Sequence, residues 1–340
     1  MNFTNHGRGL GDPLTVGPAG VRHLDEDASR IEFSTTLARH RYLDGQVTQA
    51  RSISRPLPVR CREIEPVDFD RIIDLLIAGY GIRNRNFWQH RFDRLSQHSP
   101  PSGFPKYGYM LDCNNRAVGV IFTIFSSVVI RGTPKIRCYV ASWYVQPRFR
   151  SYAQFLASRA LSDKRVTYLN ITPTQEVRPV LEAQGYVKFC SGRFVAVPSL
   201  SRTCCDARIE LGAPTACASA GLPSWEIELL AQHTKFGCIS LLYSSDAGTH
   251  PFVFQPRLKA GVVRFARLIY CRDLEDFVRA AGSLGRFLAR RGFPLVLLDA
   301  NGPIRGLRGK YSNGHPKYFR GPDEPHLGDM AYSTRVIFNF

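Results

Sequence analysis

Residues 136–162, IRCYVASWYVQPRFRSYAQFLASRALS, constrain the fold more than any other stretch. Positions 139–145 form an apolar and aromatic run, which reads as a buried strand, and a short polar loop follows at 146–151. Ala153, Leu156, Ala157, Ala160 and Leu161 then fall at i, i+3, i+4, i+7 and i+8, the stripe of an amphipathic helix. A strand that runs through a short basic loop into a helix makes a ready anion site. The loop amides and first-turn N–H groups lack intrahelical partners, and the helix dipole favours negative charge there.

What could such a site hold? Lys and Arg outnumber Asp and Glu by 45 to 28, a net charge of +17, which favours phosphate-bearing partners. The basic residues are scattered, with no run of about five or more, so nucleic acid is not the expected partner. Lys310-Tyr311 and Lys317-Tyr318-Phe319-Arg320 do interleave cations with rings, a pattern that also suits a tail strand. Nine cysteines occur without a C-x-x-C pair, and no histidine spacing completes a zinc site, so no metal is expected. Several of them lie in apolar runs, which points to reduced thiols and a cytoplasmic setting. No apolar run reaches the length of about 18 residues that a membrane helix needs.

At 340 residues the chain is expected to hold two domains. Residues 1–57 are rich in Gly, Thr, Arg and Asp and read as a flexible leader with a short helix near 34–41. Order begins with a strand at 59–64. Pro66-Val67-Asp68 then opens a helix with the stripe Phe69, Ile72, Ile73, Leu76 and Ile77, and a second helix covers 86–95. Asn114-Asn115 joins two strands as a hairpin. After the strand–loop–helix come a strand at 166–171, a helix at 176–184 closed by Gly185, and a strand at 187–197.

These residues resemble a known family. Val145-x-Pro147-x-Phe149-Arg150-Ser151-x-Ala153 is similar to the coenzyme-A loop of the GCN5-related N-acetyltransferases, the GNAT superfamily. That loop is written Gln/Arg-x-x-Gly-x-Gly/Ala, and Arg148, Arg150, Ser151 and Ala153 lie across it, with Ser151 where glycine is usual. Val180-Leu181-Glu182-Ala183-Gln184-Gly185-Tyr186 looks like the family's last helix running into its next strand. The resemblance covers 59–197. It implies an α/β (α+β) fold, a mixed twisted sheet flanked by helices, for a domain at 58–198.

Residues 199–224, rich in Pro, Ser, Cys, Ala and Gly, read as a linker. The second half, 225–340, repeats the order of strands, helix and strand, which suggests a worn copy of the same fold. Its joint reads Cys271-Arg272-Asp273-Leu274-Glu275-Asp276, with three acids where phosphates would sit, so a second cofactor site is not expected. Residues 302–328 read as a polar tail and 331–340 as a closing strand.

The resemblance further implies acyl transfer from acetyl-CoA, or a longer acyl-CoA, to an amine. The pantetheine would run along Trp143 to Val145, and the pyrophosphate would meet the amides of Arg148, Phe149, Arg150, Ser151, Tyr152 and Ala153. Ser151 can take the glycine's place only at negative φ, at or near the helix N-cap. Many relatives carry a glutamate on the central strand, and this chain has none at 141–144. His90, or Glu63 or Glu65 through water, is left as the base, Tyr186 as a stand-in for the acid, and Asn170 as a polar residue near the pantetheine. The rival reading is a non-catalytic relative that keeps the fold as a binding or scaffold module.

Overall fold

Local chemistry sets most of the elements. Asn114 and Asn115 take φ of 50° and 62°, the left-handed pair that a two-residue hairpin loop needs. Pro66 stands at the first position of a 3-10 turn that leads into the first long helix, and Gly81 ends that helix at φ 69°. The Asn84 side chain accepts from the Phe87 amide and starts the second helix. In chain order the computed structural model, which describes residues 58–81, 83–202, 207–259 and 261–339, runs as follows. The first half holds β1 (Val59–Glu63), α1 (Phe69–Tyr80), α2 (Arg85–Ser96), β2 (Gly108–Cys113), β3 (Arg116–Ile130), β4 (Thr133–Val145), α3 (Ala153–Ala160), β5 (Val166–Asn170), α4 (Arg178–Ala183) and β6 (Val187–Ala196). The second holds β7 (Arg208–Leu211), α5 (Pro214–Ser219), α6 (Ser224–Lys235), β8 (Ile239–Ser245), β9 (Gly248–Lys259), β10 (Val263–Cys271), α7 (Leu274–Arg290), β11 (Leu295–Ala300), β12 (Gly309–Arg320) and α8 (Thr334–Phe338).

All twelve strands join one sheet, in the order β1-β2-β3-β4-β5-β12-β6-β11-β10-β9-β8-β7. The order reads the same from both edges when β1–β5 are matched with β7–β11 and β6 with β12. Only β4·β5 and β10·β11 are parallel, and they occupy matching places. Each lobe therefore lends its last strand to the other: β12 fills the slot between β5 and β6, while β6 pairs with β11. The matching strands β4 and β10 both carry a bulge, at Ser142 and between Leu268 and Tyr270. One apolar cluster on the front face gathers α1, α2, α6 and α8 from both lobes. On the back face α3 and α4 cover the first lobe and α7 covers the second.

Four expectations need correction or fall outside the description. The stretch 199–224 carries β7 and α5, because a short edge strand and a one-turn helix are too brief to show a period. Residues 331–340 do not close the sheet as a strand. Thr334–Phe338 is a helix with every residue buried, since packing against α2 and β4 within the front-face cluster overrides the β-branched local preference. Residues 302–328 are not a tail, for β12 runs through the middle of the molecule. The leader 1–57 and its short helix lie outside the described residues. Among the described residues, no helix is long and apolar enough to cross a membrane, and no group of His, Cys, Asp and Glu is placed to hold a metal. The seven cysteines described are free thiols.

Candidate acyl-transfer site

The parallel pairing of β4 with β5 begins at Ile136↔Val166 and stops at Tyr139↔Leu169. β4 continues to Val145, so its last six residues leave β5 and open a splay. The bulge causes the divergence: Ser142 sits at φ 45°, a strained value for serine, and the register against β3 shifts by one residue there. Beyond the splay β4 does not enter an open loop as expected. Pro147–Tyr152 is a 3-10 turn stacked on α3, in which the Phe149 amide donates to the Gln146 carbonyl at 2.8 Å and the Ala153 amide to the Arg150 carbonyl. Ser151 lies inside this turn and keeps a negative φ, while the cap position itself falls to Tyr152, whose side chain makes no capping bond.

Around this joint Arg148, Arg150 and Ser151 are exposed, Trp143, Tyr152 and Ala153 are half-buried, and Val145 and Phe149 are buried. Neither the turn nor the first turn of α3 contains an acid. A groove of about 1020 Å³ runs between α3 and α4, with Gln154, Ser158, Val180, Gln184, Tyr168 and Arg320 among its walls. A second groove, of about 710 Å³, flanks the joint on the α1 side, where Arg71, Arg116 and Arg148 meet Asp74. Sequence reading noted Arg320 only as part of a tail strand and did not single out Arg116, because each reaches its groove from another strand.

The expected acid and base residues are not brought together. His90 is exposed on α2. Tyr186 is buried in the back-face cluster with Tyr168 and Leu181, and burial pushes its phenol far above the ordinary value. Glu63 stands opposite Tyr109 on the edge strand β1, three strands away from β4. Asn170 ends β5 beside Tyr318 of β12, with a buried Oδ1 that has no hydrogen-bond partner, so it is a polar group available at the mouth of the splay. The residue that sequence reading missed is Tyr144. It follows the bulge, belongs to the front-face cluster, packs its ring against Gly79 and Tyr80, and has its phenol raised by burial, with Arg150 near enough to oppose that shift.

The matching joint of the second lobe differs at each of these points. Asp273 caps α7 by accepting from the Glu275 amide at 2.9 Å, and Glu275 and Asp276 fill the first turn. Arg272 turns away to pair with the fully buried Glu226. That helix end is satisfied by its own carboxylates.

Comparison by sequence finds no protein-family model and no curated relative that matches. Comparison by structure finds a probable N-acyltransferase from Enterococcus faecalis V583, 12% identical, with 81% of this chain and 74% of that chain covered at a TM-score of 0.50. A GCN5-related N-acetyltransferase from Anabaena variabilis is similar at 10% identity, 77% and 72% coverage and a TM-score of 0.50. The likeness concerns the fold: the chain has a GNAT fold, a mixed twisted sheet flanked by helices, in two lobes.

Proposed function

We propose that the protein moves an acetyl or longer acyl group from acyl-CoA to an amine, with one cofactor site, in the first lobe. The observation that carries this reading is the contrast of joints. The first is basic and uncapped by any side chain and stands at the end of a splayed strand; the second is filled by its own acids. In this reading the free edge of β4 from Trp143 to Val145 holds the pantetheine, and Arg148, Arg150 and the start of α3 face the pyrophosphate. A strand amide beside the bulge polarises the thioester carbonyl, and positioning of the amine supplies much of the rate. Tyr144, kept protonated by its raised pKa, is the hydroxyl placed to give a proton to the departing thiolate. Asn170 orients the acyl end.

The scaffold reading draws on one observation: His90 is exposed on α2, whereas Tyr186 is buried in the back-face cluster with its phenol far from an ordinary acid's value. A thiol-release assay with acetyl-CoA and pooled amines separates the two. Turnover above the hydrolysis background supports the enzyme, and CoA binding without thiol release supports the scaffold.

A further inference from the structure

Buried acids outside the centre of the sheet are as a rule met by one or two cations each. Arg137 on β4 meets Asp329 at 2.9 Å, with both side chains almost wholly buried. Arg62 and Arg71 share Asp68, and Arg272 holds Glu226. The centre of the sheet breaks the rule. There Arg193 of β6 stands directly opposite Asp299 of β11, Arg267 of β10 stands opposite Leu297 two residues along the same face, Lys317 of β12 is bonded to Asp299, and Arg335 of α8 is near enough to act on the same carboxylate. Among the described residues, none of Arg193, Arg267 and Arg335 has a salt bridge. Arg267 of β10 and Arg137 of β4 each stand opposite the parallel strand that follows. Arg137 has its aspartate. Arg267 instead leaves Nε and Nη1 buried and unpartnered, and Arg193 leaves Nε so.

The place matters as much as the charge. β5 and β11 run toward each other and end on either side of this centre, Asn170 level with Tyr318 and Lys188, and Ala300 level with Gly192. Ligands of sheets with parallel strands gather at the carboxyl ends of those strands, where the strand order changes. β12 breaks register between Asn313 and Lys317, and His315 from that bulge is bonded to Arg193. Arg335 reaches the carbonyl of Ile171, the first residue after β5, at 3.5 Å, so the cluster adjoins the splay. Arg193, Arg267 and His315 are each only partly buried, although the unpartnered nitrogens of the two arginines are shielded from solvent.

We propose that this centre, Arg193, Arg267, Lys317 and Arg335 around Asp299, binds an oxyanion, and that the oxyanion belongs to the acceptor: the amine carries a carboxylate or a phosphate. The claim that an acceptor brings it rests on the acyl-transfer reading; the oxyanion site itself does not. Four cations with one acid strain the interior, and a bound anion relieves that strain. Burial first, and the neighbouring cations after it, push Arg193 down to about 10 and His315 down to about 4, and hold Arg267 well below its ordinary value.

The test uses the full chain at low salt, with inorganic phosphate and succinate as probes. Calorimetry should show one of them binding to a single site, and its addition should raise Tm. Arg267→Gln should weaken that binding at least tenfold and, by removing an unpaired buried charge, raise the Tm of the anion-free protein. Arg193→Gln, at a more open position, serves as the second variant if the first does not fold. Transfer is then measured for phosphoethanolamine against ethanolamine and for γ-aminobutyrate against its amide. A kcat/KM at least tenfold higher for one charged member supports the proposal and names phosphate or carboxylate, and the ratio should fall toward one in Arg267→Gln. Equal rates within both pairs, with no binding of either probe, would overturn it while leaving acyl transfer intact. Displacement of bound CoA by phosphate would overturn it too, assigning the cluster to the cofactor. Probe binding without transfer to any amine would remove the acceptor and the acyl-transfer reading together, and leave a bare oxyanion site.

Discussion

The two strand-to-helix joints are the same piece of architecture with opposite charge. In the first lobe the strand bulges at Ser142, leaves its parallel neighbour and enters a turn with arginines and no acids. In the second the strand bulges at the matching place, but Asp273, Glu275 and Asp276 satisfy the helix end and Arg272 is tied to Glu226. A helix N-terminus that owns its anions has no use for a ligand's, and one that lacks them does. The fold makes two candidate sites; side-chain charge leaves one.

That comparison can be broken by exchanging what each joint depends on. The largest effect is expected from Arg148→Glu with Arg150→Glu, which should weaken CoA binding at least ~100-fold, about 3 kcal/mol, with unfolding midpoints little changed. Equal affinity in calorimetry would remove the first joint from the cofactor site. Next in size is an effect of pH on the contact between lobes, where His98 and His233 flank Tyr332. His233 is fully buried, with Nδ1 2.7 Å from the Leu229 carbonyl and Nε2 accepting from the Tyr332 amide, and burial holds it down to about 4. Its folded value is below the unfolded value, so the unfolded chain takes up the proton first. Stability is therefore full above about pH 6.5 and falls between there and about pH 4, by roughly 3 kcal/mol from this group. Urea unfolding across the window should show the slope in the native protein and a shallower one in His233→Gln; identical slopes would contradict it.

Smaller effects belong to the second joint. Arg272→Ala leaves Glu226 buried with only the Tyr270 hydroxyl, and should cost about 2 kcal/mol after allowance for the partial exposure of the arginine. CoA affinity should not change. Asp273→Ala removes a cap worth about 1 kcal/mol, again without effect on CoA, and a loss of CoA binding in either variant would mean that the second joint also serves the cofactor.

What the sequence made legible follows the range of the interactions involved. The run to Val145, the stripe through Ala153 and Leu156, and the asparagine pair of the hairpin are set within a few residues, and the structure follows them closely. The resemblance of 145–153 and 180–186 led to the right fold because those segments are local too. β12 was hidden because its partners in β5 and β6 lie more than a hundred residues earlier, and because His315 and Lys317 look like solvent-facing residues until Arg193 and Asp299 are beside them. α8 was misread for a related reason: Val336 and Ile337 favour a strand locally, and only the apolar surfaces on every side hold them in a helix. At the site, the charge contrast of the joints was legible. The bulge was not, since nothing about Ser142 announces a positive φ.

The central claim is one cofactor site per chain, at the first joint. Calorimetric titration of the full protein with acetyl-CoA at low salt tests it most directly, through stoichiometry. The account predicts one site per chain, lost in the Arg148→Glu, Arg150→Glu variant and kept in Asp273→Ala; two sites, or one that survives the double reversal, would contradict it.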